Sequence, residues 1–231
     1  MTFAGIQKLT LLDYPGKTAC TVFTNGCNLR CPFCHNARLV LPECQGCSSL
    51  FTEEEIRAFL KKRAGLLDGI CITGGEPLLH EKDLQEFIPY VRGLGDAVKL
   101  DTNGTRPEIL EQFLQGGWID YVAMDVKNAF TYYPETVGIA DFDVTPIKES
   151  IQIIRNSGVD YEFRTTVVQE FHTVERIREL AQTIAGARRY FLQKFLDSGE
   201  LISSGLSAVS LEEMQAMQDA ASKFCPTEIR G

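Results

Sequence analysis

Short runs rich in Val, Ile, Tyr, Phe and Thr alternate along the chain with stretches whose apolar positions recur three and four residues apart. The first pattern suits a pleated strand and the second an amphipathic helix. Strands are predicted at Thr18 to Thr24, Gly69 to Thr73, Ala97 to Thr102, Tyr121 to Val126, Tyr161 to Val168 and Tyr190 to Phe195. Helices are predicted at Glu53 to Ala64, Asp83 to Gly93, Pro107 to Leu114, Pro146 to Asn156, Val174 to Ile184 and Leu211 to Phe224. Thr52 with Glu55, and Ser210 with Glu213, have capping-box spacing. Thr145 before Pro146 reads as an N-cap, and Gly116-Gly117 and Gly158 stand where helix C-terminal caps belong. Gly5 to Leu9 reads as a lead-in strand. Six strand–helix units in succession call for an α/β fold with a parallel sheet, either doubly wound or part of a barrel.

Length and composition narrow this to one domain over residues 1–231, with 44% hydrophobic residues to build its core. Apolar runs are broken by charge before the ~18 residues that a membrane span requires. No basic segment leads into an apolar one in Met1-Thr2-Phe3-Ala4-Gly5, so the expected location is cytoplasmic, with no membrane partner. A net charge of −8 speaks against nucleic acid as a partner, since that binding rests on clustered Lys and Arg. Eight unevenly spaced cysteines in a chain this long fit a metal site in a reducing compartment better than a disulfide scaffold.

Cys27, Cys31 and Cys34 form a C-x3-C-x2-C run. Three thiolates can hold three irons of a [4Fe-4S] cube and leave the fourth open to a small molecule, whereas a closed cluster normally takes four cysteines. A zinc knuckle or a half-disulfide framework is the alternative. Gly74 and Gly75 let backbone approach a ligand closely, and Pro77 holds Glu76 extended just beyond the second strand. Asp101, Thr102 and Asn103 make a polar strand end before Gly104, suited to a ribose or a cation, or to an ordinary Asx turn. Asp125 and Lys127, two apart on a strand, face the same way and can pair. Arg164, inside an apolar strand, needs an anionic partner, with Glu162 and Asp125 within the chain as candidates. Cys44 and Cys47 are half of a zinc or iron–sulfur site in a small C-x2-C insert. Cys20, Cys71 and Cys225 suit burial as small hydrophobes.

Asp13-Tyr14-Pro15-Gly16, the segment Phe23 to Asn36 around the cysteines, and Gly74-Gly75-Glu76-Pro77 resemble the radical S-adenosylmethionine (SAM) enzymes, most of all the activating enzymes of glycyl-radical enzymes. The short insert looks like that of the activases of anaerobic ribonucleoside-triphosphate reductase. The resemblance runs from Gly5 to about Phe195 and implies a partial (β/α)6 barrel. It also implies a [4Fe-4S] cluster on Cys27, Cys31 and Cys34 that chelates SAM and cleaves it to a 5′-deoxyadenosyl radical, which takes hydrogen from a glycine of a protein partner. Phe33 would lie beside adenine and Gly74, Gly75, Glu76 and Pro77 would contact the methionine amino group. Asp101, with Thr102 and Asn103, and Asp125 would line the cofactor site and could hold a monovalent cation. Lys127 would neutralise the methionine carboxylate or meet the substrate backbone, and the SAM carboxylate becomes a further partner for Arg164. Cys44 and Cys47 look like a truncated form of a longer cysteine-rich insert. Leu196 stands where many formate-lyase activators place a histidine, with Gln193 as a weak substitute. Flavodoxin or ferredoxin would supply electrons. The alternatives are a small-molecule radical SAM enzyme resembling 7-carboxy-7-deazaguanine synthase, and a non-catalytic iron–sulfur or zinc module.

Overall fold

The computed structural model describes residues 1–40 and 50–231, so Cys44 and Cys47 lie outside the described residues. Among the described residues nine strands, β1 (Thr2–Thr10), β2 (Ala19–Thr24), β3 (Phe51–Thr52), β4 (Gly69–Gly74), β5 (Ala97–Thr102), β6 (Tyr121–Asp125), β7 (Asp160–Val167), β8 (Tyr190–Lys194) and β9 (Thr227–Arg230), form one sheet in the order β3-β1-β2-β4-β5-β6-β7-β8-β9. From β2 to β9 every pairing is parallel, while β1 runs antiparallel to both β2 and β3. The helices are α1 (Ala37–Val40), α2 (Glu53–Arg63), α3 (Glu81–Gly93), α4 (Pro107–Gln115), α5 (Tyr133–Val137), α6 (Thr145–Asn156), α7 (Val174–Thr183) and α8 (Leu211–Ala221).

Alternation along each strand sorts the core from the interior. Val98 and Leu100, Val122 and Met124, and Phe163 belong to the main apolar cluster, with Phe87 and Val91 of α3, Leu110 and Phe113 of α4, Ile151 of α6 and Leu180 of α7. The intervening positions carry Lys99, Asp101, Asp125, Glu162 and Arg164, whose side chains bond to one another or to groups on neighbouring strands. The sheet must therefore curl around a polar interior. Tyr14, in the β1–β2 connection, lies 5.9 Å from Tyr121 on β6. Three strand spacings separate β2 from β6 in the sheet, about 14 Å if it were flat. The result is the open, partial (β/α) barrel that the resemblance implies, one of the two arrangements the strand–helix order allows, with β3 and β9 at the ends of the sheet.

All six expected parallel strands and the lead-in strand are present, and both capping boxes form. The N-cap expected at Thr145 does not form: Thr145 is already helical, and its N–H donates to the Asp143 carboxylate at 2.9 Å. The last helix ends at Ala221 rather than Phe224. β3, β9, α1 and α5 are additional to the sequence reading, each only two to five residues long.

Candidate active site

The C-terminal ends of β2, β4, β5, β6, β7 and β8 converge on a cavity of about 240 Å³. Cys27, Cys31 and Cys34 lie on its wall with Phe33, Gly74, Gly75, Asp101, Thr102, Asn103, Asp125, Lys127 and Arg164. Twelve of the fourteen residues singled out from sequence thus share one cavity, and they come from five of those six strand ends. Glu76 and Pro77 stand behind the wall.

The cysteine loop is fixed by backbone contacts on several sides. Gly26 N–H donates to Leu39 O at 2.7 Å, Arg30 N–H to Val137 O at 2.9 Å and Ser203 N–H to Pro32 O at 2.9 Å. Across the cavity floor, Glu76 N–H donates to Gly26 O at 2.8 Å, and the Asn36 amide donates to Gly74 O at 3.2 Å. These bonds bring the β4 turn so close that a Cβ on Gly75 would fall 1.8 Å from Gly26 O, and one on Gly74, at φ +129°, 2.3 Å from Thr24 N. Only glycine fits at either place.

All three cysteines are free thiols. Burial raises each of them, Cys31 to about 12, while the Lys127 ammonium pulls all three back. Thiols in this state must shed protons to ligate iron, so loading a cluster releases protons. Among the described residues no three Cys, His, Asp or Glu side chains converge on a single ion. Three thiols on one cavity wall can each take a separate iron of a cube, and the donor set fits that group.

A ladder of charge runs up the interior. Lys99, almost fully buried, pairs with Asp101, and the Arg164 guanidinium bridges Asp101 Oδ2 at 3.2 Å and Asp125 Oδ1 at 2.9 Å. Lys127 Nζ completes it on Asp125 Oδ2 at 3.0 Å. Within the chain, the anion that Arg164 requires is therefore the Asp101–Asp125 pair; Glu162 instead accepts from Tyr121 and Arg230. Burial alone would raise Asp125, but Arg164 and Lys127 outweigh it and hold the carboxyl at about 2. The ladder holds three cations against two carboxylates, with Lys99 at its buried end and Arg164 and Lys127 on the cavity wall.

Glu76 is fully buried. Its carboxylate accepts from Leu78 N–H at 3.1 Å, the Thr102 hydroxyl at 2.8 Å and Asn103 N–H at 2.7 Å, which ties the β4 turn to the end of β5. Burial nevertheless raises it to about 7. The Asx turn at Asn103 is also present, with Thr105 N–H donating to Asn103 Oδ1 at 3.0 Å.

Leu29, His35 and Asn36 of the cysteine segment, and Thr73 and Thr166 on β4 and β7, also line the cavity, though none of them has a site role in the sequence reading. Gln193 reaches the wall from β8, while Leu196 lies 70% exposed. His172 is a further surprise. Its Nδ1 accepts from Val168 N–H at 3.0 Å and its Nε2–H donates to Lys127 O at 2.8 Å, while its neighbour Phe171 packs 5.8 Å from Phe33. This buried ring fixes the backbone that carries Lys127, and a lone histidine after a strand gives no sequence signal of such a task.

The profile of the radical SAM superfamily matches residues 21–184. A protein of Methanocaldococcus jannaschii assigned as a glycyl-radical enzyme activating enzyme is 37% identical over 196 residues, 83% of this chain and 79% of that one. The pyruvate formate-lyase-activating enzyme of Clostridium pasteurianum is 28% identical over 192 residues, 79% and 76% of the two chains. A radical SAM methyltransferase from Sphaerobacter thermophilus superposes with a TM-score of 0.74 at 16% identity, over 96% of this chain and 68% of that one, which bears on the fold. The cysteine loop, its cavity and these matches agree: the chain belongs to the radical SAM superfamily, whose enzymes use an iron–sulfur cluster and S-adenosylmethionine.

Proposed function

We propose that this protein activates a glycyl-radical enzyme, anaerobic ribonucleoside-triphosphate reductase, with Cys27, Cys31 and Cys34 holding three irons of a [4Fe-4S] cluster. When bound, the cluster supplies the electron that cleaves SAM, and the resulting 5′-deoxyadenosyl radical takes hydrogen from a glycine Cα of the partner. The observation that carries this reading is the convergence of the three thiols, the Gly74-Gly75 turn and the charge ladder on one cavity.

Each part of the wall has a task. Gly74 and Gly75 expose backbone for the methionine amino group, and Glu76 and Pro77 fix that turn from behind. Phe33 offers its ring to adenine. Lys127 and Arg164, the two cations of the cavity wall, suit the methionine carboxylate. Asp101, with Thr102 and Asn103 beside it, and Asp125 form the polar edge for ribose; a monovalent cation at these two carboxylates would share them with Arg164. The names of the two relatives support an activase, and the short insert and the segment Tyr161 to Val168 support the reductase as partner. Flavodoxin or ferredoxin in a cytoplasmic setting would be the electron source. Among the described residues no helix is long and apolar enough to cross a membrane.

The test is anaerobic reconstitution and reduction with SAM and the partner reductase. Deoxyadenosine together with a glycyl radical signal in electron paramagnetic resonance is expected. Deoxyadenosine released without any radical on the partner would point to a small-molecule substrate, and none at all would overturn the reading.

A further inference from the structure

We propose that Asn103 is the residue that sets how readily the bound cluster is reduced, through an N–H···S contact to Cys27. The inference rests on Cys27 being a cluster ligand and adds a task for Asn103 distinct from contact with SAM. Asn103 Nδ2 lies 3.7 Å from Cys27 Sγ, and Leu29 N–H adds a second donor at 3.4 Å. Among the described residues Cys27 is the one cysteine of the three whose sulfur meets a side-chain N–H.

The amide is aimed by a closed ring of bonds. Asn103 Nδ2 donates to Asn28 Oδ1 at 3.0 Å, Asn28 Nδ2 donates to the Thr105 hydroxyl at 2.8 Å, and that hydroxyl donates back to Asn103 Oδ1 at 2.6 Å. Exchanging nitrogen and oxygen on Asn103 would set its oxygen against Asn28 Oδ1 and an NH2 against the Thr105 N–H, so the ring fixes which atom faces the sulfur. The Asn103 backbone is pinned separately by Glu76 Oε2 at 2.7 Å. One residue thus links the cysteine loop, the Gly74-Gly75-Glu76-Pro77 turn and the end of β5.

Hydrogen bonds to cluster sulfurs are among the levers that set reduction potential, because an N–H donor stabilises the extra negative charge of the reduced state. Removing the donor makes reduction harder. The measurement is a redox titration of the reconstituted, SAM-free chain, followed by electron paramagnetic resonance, for the parent, Asn103→Ala, Asn103→Asp and Thr105→Val. Asn103→Ala is expected to lower the reduced-to-oxidised ratio at a fixed potential about tenfold, a downward shift of about 59 mV for one electron. Asn103→Asp, which replaces the donor with a carboxylate, is expected to shift further in the same direction. Should either Asn103 variant fail to fold, Thr105→Val carries the test: it keeps the amide but breaks the ring that aims it, so a smaller shift of the same sign is expected. Midpoints equal to the parent in every variant that folds overturn the proposal. Failure of the cluster reading itself would show instead in the parent, as a chain that takes up no cube or one whose spectrum is indifferent to SAM.

Discussion

Asp125, half-buried on the cavity wall, and Glu76, fully buried behind it, bias the fold in opposite directions with pH. Arg164 and Lys127 hold Asp125 at about 2 against an ordinary 3.8, so its contribution is present above pH 3.8 and is lost as pH falls toward 2. That contribution is about 2 kcal/mol. Urea unfolding of the cluster-free chain is expected to show Asp125→Asn less stable than the parent at pH 6 and equal to it near pH 2; parallel curves would refute the assignment. Glu76 is raised from 4.5 to about 7, because burial outweighs its three donors. Its neutral form is favoured in the fold, so stability is greatest below pH 4.5 and falls as pH rises through 7. Glu76→Gln is expected to flatten that decline, measured by thermal unfolding from pH 4.5 to 7.5. The sequence displayed both residues because their neighbours are diagnostic. It could not display which atoms Glu76 serves, since Thr102 and Asn103 meet it only after β4 and β5 have paired. Arg164 is similar: an arginine in an apolar strand announces a partner, but its two carboxylates stand 63 and 39 residues away.

At the scale of elements, the six parallel strands were legible because both their faces are enclosed, giving dense β-branched and aromatic runs, and most helices because they carry apolar stripes and caps. What escaped had no such signal. β9 is four residues, Thr227 to Arg230, and exists because β8 supplies its hydrogen bonds; β3 is two residues completing the edge beside β1. Thr145 is the first helical residue rather than the N-cap because Val144 precedes it in that place and the Thr145 N–H donates to Asp143 in an Asx-type bond. The Gly74-Gly75 turn is where an element and the site depend on each other. A Cβ at Gly75 would lie 1.8 Å from Gly26 O and 3.3 Å from the Cβ of Cys27, so the cysteine loop must retreat. Gly75→Ala is expected to reduce iron uptake from four per chain to below one. Gly93→Ala, where a Cβ meets nothing within 4 Å, is expected to bind iron like the parent. Equal iron in both variants would show that the close approach is not needed.

Across the whole molecule, an open barrel has to seal a charged interior at the edge where its sheet does not close. The chain does this with Arg230 on β9. Its guanidinium reaches inward to Glu162, with contacts of 3.0 and 3.3 Å to the two carboxylate oxygens, and lies 3.6 Å from the centroid of the Phe191 ring. Glu162 is 1% exposed and has the Tyr121 hydroxyl at 2.8 Å as its other bond. Losing the guanidinium would leave a buried carboxylate short of its counter-charge, which destabilises the fold. It would also release the last strand, which the sheet holds through β8 and which α8 covers. Arg230→Ala is therefore expected to speed hydrogen exchange throughout Thr227–Arg230 and in the neighbouring part of β8, while amides of β4 and β5 exchange at the parental rate. Arg230→Ala combined with Glu162→Gln is expected to recover part of the lost stability, because the stranded charge is gone, but not the slow exchange of β9, because the clasp is still missing. If the single variant exchanges like the parent, backbone pairing to β8 alone holds the barrel edge and the clasp adds nothing.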